Sequence, residues 1–223
     1  MDWKSKNVLV TGGNGFLGSR LVKMLKEKNT KKIVIPDSKK CDLRHVDNCT
    51  SILQEIDIVF HLAAKVGGIG LNQSKPGELF YDNLMMGVNL MEEARKNKIE
   101  KFISLGTICS YPKFTPIPFK EDSIWDGYPE ETNAPYGLAK KMLLVQSQAY
   151  KQQYNFESIT VFPTNLFGQN DNFDEDSSHV IPAIIKKVLN AIQNNHDSIS
   201  LWGDGTPTRD FLYVDDAASG ILL

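Results

Sequence analysis

Asn7-Val8-Leu9-Val10-Thr11-Gly12-Gly13-Asn14-Gly15-Phe16-Leu17-Gly18-Ser19 decides the fold. Residues 7–11 are a short apolar run suited to a buried strand, glycines follow at once, and an amphipathic stretch runs from Ser19 to Lys28. The order is strand, glycine turn, helix. Glycines at 12, 15 and 18 permit a tight turn, close approach of backbone N–H groups to a pyrophosphate, and close packing of helix on strand. The helix N-terminus then faces an anion. A plain strand-to-helix turn is the alternative, but the flanking pattern favours a cofactor held by Gly12, Gly13, Asn14, Gly15, Phe16, Leu17 and Gly18.

Outward from this unit, Lys32-Ile33-Val34-Ile35 reads as a second strand, ending at Pro36-Asp37-Ser38-Lys39-Lys40. A dinucleotide fold meets the adenosine ribose at this point. Asp37 suits free ribose hydroxyls and hence NAD; Ser38, Lys39 and Lys40 suit a 2'-phosphate and hence NADP, or form a solvated loop. Asp42, beside Leu43, suits the adenine amino group. Further strands are expected at 57–64, 101–105, 158–162 and 211–214, with helices near 46–55, 83–98, 134–153 and 180–193. The stretch 201–205 reads as a strand with a turn, and a helix starting at Asp215-Asp216 is cut short at Leu223. The alternation predicts an α/β fold, a doubly wound parallel sheet (Rossmann) with a small, apparently truncated C-terminal substrate-binding part. Residues 1–168 form the dinucleotide-binding domain, completed by 208–223, and 169–207 the substrate-binding segment.

Tyr136-Gly137-Leu138-Ala139-Lys140 carries the chemistry. Helical spacing puts the phenol and the ammonium on one face, where a fixed cation stabilises the phenolate and eases proton transfer. Leu138, Met142, Val145 and Ala149 are expected to form the buried stripe of the same helix. The strand at 101–105 runs into Gly106-Thr107-Ile108-Cys109, a strand end of the kind that faces ligands in open α/β sheets. His61 reads as a packed strand-end histidine rather than a catalyst. The methionine-containing stripe at 83–98 suits a core or a dimer face.

Composition narrows the function. Hydrophobic content of 41%, charged content of 23% and a net charge of −2 argue against a nucleic-acid-binding surface. The N-terminal residues lead straight into a strand without a signal-peptide core, and no run is long enough to span a membrane, so a cytoplasmic protein is expected. Cys41, Cys49 and Cys109 match neither a disulfide framework nor a metal-ligand spacing, so reduced thiols and no metal are expected.

Gly12-x-x-Gly15-x-x-Gly18, Thr107 and Tyr136-x-x-x-Lys140, in that order on those elements, resemble the extended short-chain dehydrogenase/reductase (NAD-dependent epimerase/dehydratase) family. Within it the chain is most similar to the GDP-L-fucose synthases, which epimerise and reduce a GDP-4-keto-6-deoxy sugar with NADPH. The motifs are His61-Leu-Ala-Ala-Lys-Val-Gly-Gly-Ile69, Cys109-x-Tyr-Pro-Lys113, Pro163-Thr-Asn-Leu166, Asp171-Asn-Phe173, Ser178-His-Val-Ile-Pro-Ala183 and Trp202-Gly203. The resemblance implies Thr107, Tyr136 and Lys140 for reduction, and Cys109 with His179 as the acid/base pair of epimerisation. It implies further cofactor contacts from Leu62, Ala63, Ala64, Leu105, Gly106, Pro163, Asn165 and Leu166, and a nucleotide-sugar held by Lys187, Trp202 and Arg209. A homodimer paired through the helices at 83–98 and 134–153 is implied too. Thr107 stands where the fucose synthases usually carry Ser, and Ser38 where an NADP-binding arginine is expected. The family's chains also continue well past residue 223. The alternatives are another NAD(P)-dependent nucleotide-sugar 4-epimerase, reductase or dehydratase, or a non-catalytic cofactor-binding sensor or scaffold.

Overall fold

β1 (Asn7–Thr11) pairs in parallel with strands on both of its sides, β2 (Lys32–Val34) and β3 (Ile58–His61). β4 (Lys101–Leu105) and β5 (Ser158–Val161) extend the sheet in the order β2-β1-β3-β4-β5, all parallel. The structure is a computed structural model describing residues 1–174, 178–201, 203–206 and 208–223. The helices are α1 (Phe16–Glu27), α2 (Val46–Ile52), α3 (Ile69–Ser74), α4 (Pro76–Lys96), α5 (Ala134–Tyr154), α6 (Val180–Gln193) and α7 (Val214–Ile221). A separate parallel pair, β6 (Asn165–Phe167) and β7 (Phe211–Tyr213), brings the chain back toward the sheet before α7.

Strand alternation sorts the core onto two faces. Leu9, Val59 and Phe102 pack with Leu90, Met91 and Ala94 of α4 and Leu143 of α5. Val8, Val10, Ile58, Phe60 and Ile103 pack with Leu17, Leu21 and Leu25 of α1 and with Val214, Ala217 and Ala218 of α7. Each such side chain, fully removed from water, contributes about 1.5–3 kcal/mol, which holds helices against both faces as a doubly wound sheet requires. α4 and α5 meet where a Cβ on Gly87 would stand 2.5 Å from the Leu143 methyls.

The element boundaries differ from expectation where tertiary contacts decide them. The third strand spans 58–61 rather than 57–64, because the chain leaves the sheet at Leu62 to enter the glycine loop. α4 starts at Pro76 rather than 83, with proline in the first helical turn, where its missing N–H costs nothing. On α5 the expected stripe is corrected. Ala139, Lys140, Leu143 and Ser147 are buried, whereas Met142 and Val145 are 37% and 40% exposed. The helix turns its reactive face inward and leaves apolar side chains outside. Among the described residues of 201–205 there is no strand, and no helix among the described residues is long and apolar enough to cross a membrane.

Candidate active site

Three strands end at a common edge, and the site is built there. After β1 the chain turns at Gly12 with φ +71°, and a Cβ at this position would lie 2.8 Å from the Ala63 backbone nitrogen. Only glycine fits, because that φ is left-handed and the neighbouring chain after β3 is in contact. At Gly18 a Cβ would stand 2.1 Å from the Gly12 carbonyl oxygen, so the turn and the first turn of α1 are pressed together. Gly15 caps α1 without a side chain, which leaves the first-turn N–H groups free of a side-chain acceptor. This cradle fits a pyrophosphate. β1 and β3 are neighbours while the chain passes from β1 to β2 on the other side, so the cradle sits at the topological switch point of the sheet. Leu62, Ala63 and Ala64 follow β3, Leu105 and Gly106 end β4, and Pro163 follows β5, all along the same carboxyl edge.

Other candidates are already engaged. Asp37 accepts the Lys39 N–H at 3.0 Å, while Ser38, Lys39 and Lys40 are exposed. Both oxygens of Asp42 accept from Arg44, whose Nη1 donates to Asp82 at 2.7 Å. That guanidinium holds the Asp42 carboxyl down at about 2. The Asn165 amide donates to the Asp210 carbonyl at 3.0 Å.

Beyond β4, Thr107 caps a short 3-10 turn over Ile108–Ser110, its hydroxyl accepting the Cys109 N–H at 3.2 Å. The same hydroxyl favours the ionised form of both the Tyr136 phenol and the Cys109 thiol. α5 is docked on this turn by backbone contact. A Cβ on Gly137 would stand 2.1 Å from the Cys109 carbonyl oxygen, and Ser110 Oγ donates to the Gly137 carbonyl at 2.7 Å. Upstream, the Glu130 carboxylate accepts the Thr132 and Asn133 N–H groups at the entry to α5. Lys141 Nζ donates to the Ile124 carbonyl and lies 4.6 Å above the Trp125 ring, tying the preceding loop to the helix. Gly137, Ser110 and Lys141 were missed as site residues in the sequence; the one available signal was a glycine inside a helical pattern.

Electrostatics here are governed by burial. The Tyr136 phenol is pushed above its ordinary range, first by desolvation and then by the Cys109 thiol, with the Thr107 hydroxyl opposing. Desolvation alone brings the Lys140 ammonium, 2% exposed, down to about 8. The expected lowering of the phenol by Lys140 is not among the influences on it, and at neutral pH burial keeps the Tyr136 phenol protonated while the Lys140 ammonium stays largely protonated. Burial likewise raises the Cys109 thiol, against hydrogen bonds from Thr107 and its own backbone.

The remaining candidates are carried by other segments. His179 is exposed immediately before α6, Lys187 on α6 donates to the Ser200 carbonyl at 2.8 Å, and exposed Arg209 donates to the Thr208 carbonyl at 2.8 Å. Trp202 lies outside the described residues. Among the described residues no group of three or more His, Cys, Asp or Glu is placed to hold a metal ion.

Residues 8–223 match the NAD dependent epimerase/dehydratase family. The chain belongs to that family. GDP-L-fucose synthase of Sinorhizobium fredii is 37% identical over 219 residues, covering 97% of this chain and 69% of the relative. GDP-L-colitose synthase of Yersinia pseudotuberculosis is 36% identical over 218 residues, 96% of this chain and 70% of the relative. The solved GDP-L-fucose synthetase of Naegleria fowleri bound to NADP superposes with a TM-score of 0.89 at 33% identity, covering 98% of this chain and 72% of that one. The resemblance read from the sequence motifs to the epimerase/dehydratase family thus extends over almost the whole chain.

Two outcomes follow from this member of the epimerase/dehydratase family. Ala for Gly in an exposed helix gains up to about 1 kcal/mol, but Gly137→Ala is expected to lower the melting temperature and activity together, because its Cβ meets backbone that cannot yield. Thermal unfolding with a turnover assay checks this. Lys140, at about 8 folded against 10.5 unfolded, binds a proton only in the unfolded chain between those values, so its effect on stability improves as pH rises through that window. Lys140→Met is expected to be more stable than the parent at pH 7 by up to a few kcal/mol, with the lead shrinking from pH 8 to 10 in urea titrations.

Proposed function

We propose that this chain is a nucleotide-sugar epimerase/reductase of the GDP-L-fucose synthase kind, converting GDP-4-keto-6-deoxy-D-mannose to GDP-L-fucose with NADPH. The observation that carries the reading is the docking of α5 on the turn after β4, Gly137 against the Cys109 carbonyl and Ser110 Oγ on the Gly137 carbonyl, which brings the helix of Tyr136 and Lys140 onto the turn of Thr107 and Cys109. A reducing acid and an epimerising thiol are thus carried on two elements pressed together by backbone contact. The named activities of the 36–37% identical relatives support it.

Thr107 and Tyr136 hydrogen-bond the substrate's C4 ketone oxygen and stabilise the enolate that forms when a neighbouring ring carbon loses its proton. Cys109, as thiolate, takes that proton, and His179 returns one on the opposite face. Because burial holds the thiol protonated, exchange at the ring carbons rises with pH toward the thiolate. Tyr136 then gives its proton to the C4 oxygen, and Lys140 supplies the positive charge beside it. A bound nicotinamide supplies the hydride for this reduction. The cradle of Gly12 to Gly18 holds the pyrophosphate. Ser38, Lys39 and Lys40 favour a 2'-phosphate, since the Asp37 carboxylate is turned to Lys39, and the NADP in the N. fowleri protein supports that choice. Leu62 to Ala64, Leu105, Gly106, Pro163, Asn165 and Leu166 complete the cofactor site. Residues 169–207 with Arg209 form the substrate-binding part, where Lys187, Trp202 and Arg209 hold the nucleotide-sugar, the guanidinium gripping phosphate.

We place the protein in the cytoplasm, as a homodimer joined through α4 and α5. Phe80 and Tyr81 on α4 and Met142, Val145 and Tyr154 on α5 are 37–55% exposed, an apolar surface two copies can cover. Met142→Glu with Val145→Lys is expected to convert dimer to monomer in light scattering; a parent that is already monomeric contradicts the assignment.

The reaction is tested by incubating the protein with GDP-4-keto-6-deoxymannose and NADPH in deuterated water. Deuterium at C3 and C5 with NADPH oxidised is the expected result. Tyr136→Phe should abolish reduction while slowing exchange only in part, because Thr107 still bonds the enolate oxygen, and Cys109→Ser should mainly lose exchange. The matching identity to GDP-L-colitose synthase favours one second reading, a different GDP-linked keto sugar; NADPH oxidation with that sugar alone selects it.

A further inference from the structure

Two loops of the cofactor edge are tied to one buried carboxylate on α4. One Asp82 oxygen accepts a hydrogen bond from Arg44 Nη1 at 2.7 Å, and the other accepts from Lys65 Nζ at 3.0 Å. Arg44 lies between β2 and α2, two residues beyond Asp42; Lys65 lies in the loop after β3, next to Ala64. The Arg44 guanidinium also bonds both Asp42 oxygens, through Nε at 3.0 Å and Nη2 at 2.6 Å. A continuous series thus runs from Asp42 through Arg44 and Asp82 to Lys65, whose ammonium also donates to Glu78 at 2.6 Å.

α4 grips the same loops by their backbones. Asn83 Oδ1 accepts the Lys65 N–H and its amide donates to the Lys65 carbonyl, both at 2.9 Å, while Asn89 donates to the Arg44 carbonyl at 2.9 Å. Asp82 and Asn89, two helical turns apart, share the face that meets Arg44. Anchoring of α4 itself does not need these bonds, because Leu90, Met91 and Ala94 already seat it in the core. What Asp82 adds is a fixed relation between the loops. We propose that Asp82 is a positioning residue for the cofactor, holding the segment of Asp42 and the segment of Ala63 and Ala64 in one arrangement before the dinucleotide enters. A site already in its bound shape spares the cofactor the cost of ordering it.

This role rests on the proposed cofactor site, in which Asp42 suits the adenine amino group and Leu62 to Ala64 line the dinucleotide, and adds the residue that couples them. Through Arg44, Asp82 sets the Asp42 carboxylate. Through Lys65, it sets the chain leaving β3, whose Ala63 nitrogen lies against Gly12 of the cradle. The Arg44 and Lys65 side chains are 41% and 38% exposed, and among the described residues Asp82 alone accepts from both. Burial raises the Asp82 carboxyl, but the hydrogen bonds from Arg44 and Lys65 bring it below its ordinary value, so it is ionised at neutral pH. Without that charge Arg44 keeps Asp42 and Lys65 keeps Glu78, so the loops retain their own ion pairs and lose the link between them.

The test is NADPH binding to the free protein, followed by the cofactor's fluorescence well below the unfolding transition, so no sugar is needed. Asp82→Asn keeps the side-chain shape but leaves one acceptor for two cations, and is expected to raise the Kd by about tenfold. The sign discriminates, because NADPH is an anion and removal of a negative charge by itself tightens its binding. A Kd that is unchanged or lower in folded Asp82→Asn, whatever happens to its melting temperature, overturns the proposal. If that variant does not fold, Arg44→Met and Lys65→Met, each cutting one arm, are expected to weaken binding, and parent affinity in both overturns it. Amide hydrogen exchange without cofactor gives a second readout. Asp82→Asn should speed exchange at residues 42–44 and 63–65 together, and a rise in neither or in only one refutes the coupling. A parent that binds neither NADPH nor NADH strikes the proposed function, and the exchange measurement then decides the coupling alone.

Discussion

Parallel pairing of β1 with strands on both sides is the constraint from which the rest follows. A parallel neighbour is reached only by a crossover, and crossovers are right-handed, so winding outward to β2 and then back across to β3 sends helices to opposite faces. The backbones part at the carboxyl ends of β1 and β3, and the crevice between them receives the glycine cradle. Every other site element is placed relative to that edge.

Close backbone contact then sets the chemistry. Missing Cβ atoms occur where two chain segments must touch: Gly12 against Ala63, Gly18 against Gly12, and Gly137 against Cys109. The first two shape an anion-binding turn. The third brings α5 onto the turn that carries Thr107, and so joins side chains far apart in sequence. Tyr136, Thr107 and Cys109 owe their proximity to an atom that is absent.

Burial is the electrostatic counterpart of that packing. In a surface helix a lysine four residues from a tyrosine acidifies it slightly; here both lie against the sheet, and desolvation moves the phenol up and the ammonium down. The result is a phenol held in its acid form. A polar row of Thr11, His61, Ser104 and Thr160 crosses the sheet near the carboxyl ends of its strands, next to a largely apolar face.

The sequence alone determined the α/β class, the glycine turn, β1 and β4 to the residue, and α5 nearly so. These are local signals: strand composition, glycine spacing and helical period are written in neighbouring residues. Tertiary structure alone decided which face of α5 is buried, because Met142 and Val145 are as apolar as a core stripe and only the position of the sheet shows them facing out. It also decided the contacts of Gly137 and His61. A glycine's contact with a carbonyl 28 residues earlier in the chain, and a histidine's pairing with a threonine 50 residues away, depend on strand register and helix docking, which no local pattern encodes.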